Sequence, residues 1–351
     1  MARVSAAALR DFVARVFVAL DLPHADAEII AARMVEADLV GADGHGVFRL
    51  PQYVRRLKGG GVNKRPDISV NHTGPATALV DGDNGMGHLV MTRAAQTAIE
   101  LAKKSGVAWV GARRSNHAGA ASVYAEMPVR AGMISIYSAV ASANHMPPWG
   151  GVDSLLGTNP LAIGLPMGGD APVMLDIATT VVSYGTVKSY ELRGEKMPEG
   201  WMVDKATGGP LTDPERASEG FLLPIGGYKG AGLSMILGLL AGVLNGAGVG
   251  RDVVDFNYDN KSTANTGQFI LALDVGRFID PPVFADMARR HLDELRNSEC
   301  LPGVARIRLP GDDRAARRAD REREGVPLPT PVRSQLDAVA AETGVAMLAS
   351  T

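Results

Sequence analysis

The sequence predicts an α/β protein with a smaller, mainly helical unit, and three observations carry that prediction. Between Asn84 and Tyr137 glycine loop, helix and strand patterns succeed one another, the alternation that builds a sheet covered by helices. Before them, the stretch from Ser5 to Gly41 keeps apolar residues at the helical period. After them, Gly226-Gly227-Tyr228-Lys229-Gly230-Ala231-Gly232-Leu233-Ser234 runs directly into an apolar segment, as a glycine loop does ahead of a helix.

Taken in order, Leu9, Phe12, Val13, Val16, Phe17 and Leu20 share one face of a first helix. A second helix spans residues 25–39, beyond Asp21-Leu22-Pro23. A third, 49–58, lies between the loop from Gly41 to Gly46 and the stop Gly59-Gly60-Gly61. Strands at 68–71 and 76–81 flank Gly74-Pro75. Helix 90–105, strand 107–112, helix 121–131 and strand 133–137 follow, then strands 161–165 and 173–177 between proline and glycine turns. Residues 188–220 are polar and rich in turns, which predicts a loop covering the site. The longest apolar stretch, 231–249, carries Gly238, Gly242 and Gly246 at every fourth position. Such a stripe predicts a buried helix closely approached by another backbone, not a membrane span. Strand 268–274, helix 282–296, a charged helix 314–324 and a closing segment 327–345 complete the chain.

Composition narrows the function. With 46% hydrophobic and 21% charged residues and a net charge of -2, the 351-residue chain has neither the signature of disorder nor the basic surface that nucleic acid demands. Its single cysteine, Cys300, excludes an intrachain disulfide and an all-cysteine metal site, so a cytoplasmic location is expected. Arg3, Arg10, Asp11 and Arg15 interrupt the apolar N-terminus, and neither a signal peptide nor a membrane partner is expected.

Two groups of residues suggest chemistry. The glycines around Lys229 free the backbone to approach an anion at a helix N-terminus, as in phosphate binding; the same pattern also serves as a plain turn. Gly230 stands where a P-loop needs Ser or Thr, and no Gly-x-Gly-x-x-Gly occurs, so a bound dinucleotide would not use the Rossmann fingerprint. His45 and His117 each lie in a glycine-containing loop and suit proton transfer near neutral pH. Arg49 and Tyr53 follow His45 at i+4 and i+8, which puts an acid/base, a carboxylate fork and a hydroxyl together. No His-x-x-x-His or His-Glu-x-x-His spacing supports a metal, and no Gly-x-Ser-x-Gly supports a serine nucleophile.

Six motifs in order then carry a resemblance. They are Gly44-His45-Gly46-Val47-Phe48-Arg49-Leu50-Pro51, Ser115-Asn116-His117, Pro148-Trp149-Gly150-Gly151, Leu156-Gly157-Thr158-Asn159-Pro160, Leu175-Asp176-Ile177-Ala178-Thr179 and Gly227-Tyr228-Lys229-Gly230. The chain resembles the malate/L-lactate dehydrogenase family over residues 9–340. The resemblance implies a homodimer with active sites near the subunit interface. It implies a non-Rossmann NAD(P)-binding α/β domain with a mixed sheet over 76–305, and a small helical domain formed from 1–75 and 306–351. It implies hydride transfer between NAD or NADP and a small 2-hydroxy acid/2-oxo acid pair, or alternatively reduction of a cyclic imino acid. His117 would be the acid/base, with His45 the other candidate, while Arg49 and Tyr53 would hold the substrate carboxylate. Ser142, Asp176, Ile177, Ala178, Tyr228 and Lys229 would bind the cofactor, and Gly311, Asp312 and Asp313 would close over it. Two positions depart from the family: Gly44 replaces the usual Ser, and Ala118 an aromatic residue found in many relatives.

Overall fold

In the computed structural model, which describes residues 2–349, the chain opens with β1 (Ala2–Val4), α1 (Ala6–Ala19), α2 (His24–Leu39) and α3 (Leu50–Gly59). Ser5 starts α1 by accepting a hydrogen bond from the Ala8 amide at 3.2 Å. Gly60, at a φ of 83°, ends α3 in the left-handed conformation that costs a glycine little. The large sheet begins with β2 (Ser69–Gly74), β3 (Thr77–Asp81), α4 (Gly87–Ser105), β4 (Val107–Ser115), α5 (Ala121–Arg130) and β5 (Met133–Ala139). Next come β6 (Asn144–Met146), β7 (Leu156–Gly157), β8 (Leu161–Met167), β9 (Asp170–Ile177), α6 (Tyr184–Arg193), β10 (Met202–Asp204) and β11 (Gly220–Leu222). The chain ends with α7 (Tyr228–Ala241), β12 (Thr266–Asp274), α8 (Pro281–Arg296), α9 (Asp312–Glu324), β13 (Val326–Leu328) and α10 (Thr330–Thr343).

Seven strands form one sheet in the order β2-β3-β4-β12-β5-β8-β9. β3 and β4 run parallel, joined through α4, and every other neighbouring pair is antiparallel. The sheet is therefore mixed, as expected. Its buried face packs Val80, Val110, Tyr137 and Ile270 against the alanine-rich sides of α4 and α5. A separate core joins Phe12, Phe17, Ile30, Met34 and Leu57 with Val326, Leu336 and Val339 from the far end of the chain. β1 pairs antiparallel with β13, fastening the two ends to each other.

Three expectations change. β2 hydrogen-bonds to β3 within the large sheet, so the chain enters the sheet before residue 75. The polar stretch 188–220 is not an irregular loop: α6 and the β10–β11 pair enclose a core of Val187, Met197, Met202, Leu211 and Leu222. The apolar helix α7 is two-faced. Gly230, Ala231, Ser234, Leu237, Gly238 and Ala241 are buried, whereas Met235, Ile236 and Leu239 are about half exposed, at 50%, 48% and 46%. At the glycine stripe the close neighbours are side chains and not another backbone: a Cβ built on Gly242, which caps α7, would lie 2.3 Å from the side chain of Val249 and 3.0 Å from that of Val140. By length and composition alone, Tyr228–Asn245 could cross a membrane, with a mean hydropathy of 1.2.

Candidate active site

One end of the sheet gathers the chemistry. Ser115 at the end of β4 pairs with Thr266 at the start of β12, Gln268 pairs with Ala139 at the end of β5, and Leu161 pairs with Ile177 at the end of β9. The chain segments leaving these strands surround a cavity of about 300 Å³. Thr266 and Gln268, two residues apart on β12, share one face of the strand and both line the cavity. From the opposite side, the α2–α3 connection brings in His45 and Arg49.

His117 is held from several directions. The preceding Asn116 is buried, and its Nδ2 donates to the carbonyls of Asn84 and Gly85 at 3.0 and 2.9 Å. Its own carbonyl accepts from Gln268 Nε2 at 3.0 Å. The ring of His117 stacks on Phe256 at 4.6 Å between centroids. Tyr53 Oη lies 2.6 Å from His117 Nδ1. Burial raises the pKa of Tyr53, so its hydroxyl stays protonated. Burial, then Arg49 and His45, push His117 well below the ordinary imidazole value. With its hydrogen on Nε2 the neutral imidazole accepts from Tyr53 at Nδ1; with its hydrogen on Nδ1 it donates to Tyr53 Oη and presents an unprotonated Nε2 to a ligand.

His45 stacks near His117 with centroids 6.0 Å apart. Burial, followed by Arg49, lowers its pKa to about 4. Its loop is fixed by the buried carboxyl of Asp38, which accepts from the Val47 amide at 3.0 Å. A Cβ on Gly46 would fall 2.0 Å from Asp38 Oδ1, so only glycine lets this carboxyl reach the backbone. Gly46→Ala is therefore expected to destabilise the fold by about 1–3 kcal/mol through overpacking. An unchanged urea midpoint would show that α2 can give way.

Arg49 donates from Nε to the Gly44 carbonyl at 2.9 Å and from Nη1 to Asn257 Oδ1 at 3.3 Å. Both acceptors are neutral, so its charge faces the cavity uncompensated. Of the other residues singled out from the sequence, Ser142, Asp176 and Ala178 line the cavity. Ile177 belongs to the same β9 end. Tyr228 and Lys229 lie outside it, exposed at the start of α7, where Gly227 provides no side-chain cap for the first helical amides. They adjoin the Asp176–Ala178 wall, because the Thr179 carbonyl accepts from the Ile225 amide at 3.0 Å. Gly311, Asp312 and Asp313 sit behind β9: the Pro310 carbonyl accepts from the Met174 amide, Asp312 pairs with Arg296, and Asp313 with Arg306 and Arg308.

Other cavity residues were not singled out from the sequence. Arg314, one position beyond that turn, reaches the cavity and pairs with Asp176 at 3.4 Å. His145 stacks on Tyr184 at 3.9 Å, so the α6 unit contributes to the wall. Gln268 Oε1 is buried and has no hydrogen-bond partner among the described residues. Arg113 and Arg114 pair with Asp81 and Asp83 on the surface, as a solvated edge does. Among the described residues there is no group of three or more His, Cys, Asp or Glu side chains able to hold a metal ion.

Comparison with known proteins identifies the family. The profile of the malate/L-lactate dehydrogenase family matches residues 4–337. The malate dehydrogenase of Pyrococcus abyssi is 37% identical over 344 residues, covering 96% of this chain and 94% of that protein. The ureidoglycolate dehydrogenase (NAD(+)) of Escherichia coli K12 is 33% identical over 324 residues, covering 92% of each. The solved malate dehydrogenase of Pyrococcus horikoshii OT3 superposes with a TM-score of 0.90 at 34% identity, covering 99% of this chain and 97% of that one.

Proposed function

Because the chain belongs to the malate/L-lactate dehydrogenase family, we propose that it is an NAD(P)-dependent oxidoreductase acting on a small 2-hydroxy acid/2-oxo acid pair. The observation that carries this reading is the convergence of His117, oriented by Tyr53, and the unpaired Arg49 on one cavity. Acid/base, orienting partner and carboxylate fork are the parts that this chemistry needs.

The residues present fit the cofactor. Ala118, Ala139, Ala141 and Ala178 leave room for a flat ring, and Gln268 Oε1 offers an unused acceptor in the wall. Nicotinamide, when bound, supplies or accepts the hydride. Ser142, Asp176, Ile177 and Ala178 would hold its side of the cavity, while Tyr228 and Lys229 at the α7 N-terminus would meet the phosphates. The turn at Gly311, Asp312 and Asp313 would serve by bringing Arg314 to the same wall. Lys229→Ala is expected to weaken the NAD(P)H Kd about tenfold with the fold intact. A Kd that does not move would leave Lys229 a solvated lysine.

In the oxidising direction His117 Nε2 takes the proton of the C2 hydroxyl. It does so as the tautomer with its hydrogen on Nδ1, which donates to Tyr53 Oη before and after the transfer. In the reducing direction Nε2 returns the proton to the carbonyl oxygen. Arg49 fixes the carboxylate, so that C2 keeps one orientation in both directions. Tyr53→Phe removes the orienting bond and is expected to lower kcat about tenfold. Equal turnover by the variant would restrict Tyr53 to packing.

The chain would act as a cytoplasmic homodimer. The exposed apolar side of α7 and its extension, Val243 and Leu244, supports a subunit interface there. The core shared by both chain ends supports a small domain built from the N-terminal helices and the C-terminal segment, with the rest forming the cofactor domain. The test of the activity is consumption of NADH or NADPH with a panel of 2-oxo acids and cyclic imino acids. Turnover of 2-oxo acids is expected; turnover confined to imino acids would contradict the reading.

A further inference from the structure

Charge in the cavity bears on which 2-oxo acid fits, an inference that rests on the hydride-transfer reading above. Two guanidinium groups line the cavity, Arg49 and Arg314. Arg314 is already neutralised: it pairs with Asp176 at 3.4 Å and also donates to the Ser122 hydroxyl. The Ser122 amide reinforces the arrangement by donating to the same Asp176 carboxylate at 3.2 Å. Arg49, in contrast, meets only the Gly44 carbonyl and the Asn257 amide oxygen. Among the described residues no carboxylate pairs with it.

The remaining lining residues add no cation. Burial holds His45 and His145 neutral, with pKa values lowered to about 4 and about 3, and His117 is lowered in the same direction. The wall formed by the stacked His145 and Tyr184 rings is uncharged under these conditions. Lys188 lies near that wall, over the Tyr184 ring, but its ammonium is paired with Glu191 at 2.6 Å and does not line the cavity.

One substrate carboxylate on Arg49 therefore balances the charge of the cavity. A second carboxylate or a sulfonate would be desolvated without a counter-ion and would share the space with Asp176, which is costly. We propose that the enzyme acts on 2-oxo and 2-hydroxy acids with a single carboxylate and an uncharged substituent on C2, and discriminates against those with a second anionic group. The unpaired second charge is the rejecting element.

The test compares kcat/KM for 2-oxopentanoate with that for the dicarboxylates oxaloacetate and 2-oxoglutarate, using the full chain at saturating cofactor. The monocarboxylate is expected to exceed both by at least about tenfold. Asp176→Asn releases the charge of Arg314 and is expected to narrow that ratio by about tenfold. The ratio is the readout because general damage to the fold lowers both activities together. A dicarboxylate used as well as the monocarboxylate, or a ratio untouched in the variant, would overturn the charge assignment while leaving hydride transfer intact. Turnover of neither class would overturn the hydride-transfer reading itself, and this inference with it.

Discussion

His117→Ala is expected to lose about 10²–10⁴-fold in kcat while NAD(P)H binding and the fold are retained. The expectation rests on the geometry of one side chain. His117 has Nδ1 occupied by Tyr53, its ring stacked on Phe256, and Nε2 available to a ligand. The neighbouring His45 has a lowered pKa and lines the same cavity, but among the described residues no hydrogen bond to its ring plays the orienting part that Tyr53 plays for His117. An acid/base works best when a third group orients it. His45→Ala should therefore cost much less than His117→Ala. The reverse ranking would exchange their roles, and full turnover by the His117 variant would remove that residue from proton transfer.

Arg49→Ala is expected to lower kcat/KM about 10²–10³-fold, mostly through KM. Removing one member of a buried, charge-assisted contact costs about 2–5 kcal/mol, much of it from the partner left desolvated and unpaired. The loss falls largely on KM because the carboxylate is held in the ground state as well as in the transition state. Arg49→Lys should recover only part of the loss, since an ammonium keeps the charge but not the two-pronged geometry. Unaltered kinetics in the alanine variant would place the substrate carboxylate elsewhere.

The parts of the site that could be read in the sequence are those created by local spacing. His45, Arg49 and Tyr53 follow one another at four-residue spacing, and two short 3-10 turns leading into α3 bring His45 and Arg49 to the cavity, while Tyr53 meets His117 Nδ1 instead of lining it. His117 stands out because it lies in a glycine-containing loop, where a side chain can be held at a cleft. Arg314 and Asp176 are 138 residues apart, and only the packing of α9 behind β9 brings them together. Gln268 reaches the cavity because β12 pairs with β4 and β5, whose Ala112 and Ala139 lie far from it in the sequence. His145 and Tyr184 meet through the α6 unit, whose small core is spread among turns and so read as irregular chain.

The α7 helix teaches a related lesson. Its composition is apolar on all sides, so hydrophobicity predicted burial without revealing that one face remains exposed in the single chain. Its glycines predicted close approach by another backbone, whereas at Gly242 it is the side chains of Val249 and Val140 that leave no room for a Cβ.

Direct transfer of hydrogen between nicotinamide and carbon 2 is the central claim. It is tested by supplying NADH or NADPH deuterated at the transferable C4 position with a 2-oxo acid that the enzyme turns over, and locating deuterium in the product by NMR. One deuterium on C2 of the 2-hydroxy acid is the predicted result. Cofactor oxidation with no deuterium at C2 would contradict the mechanism.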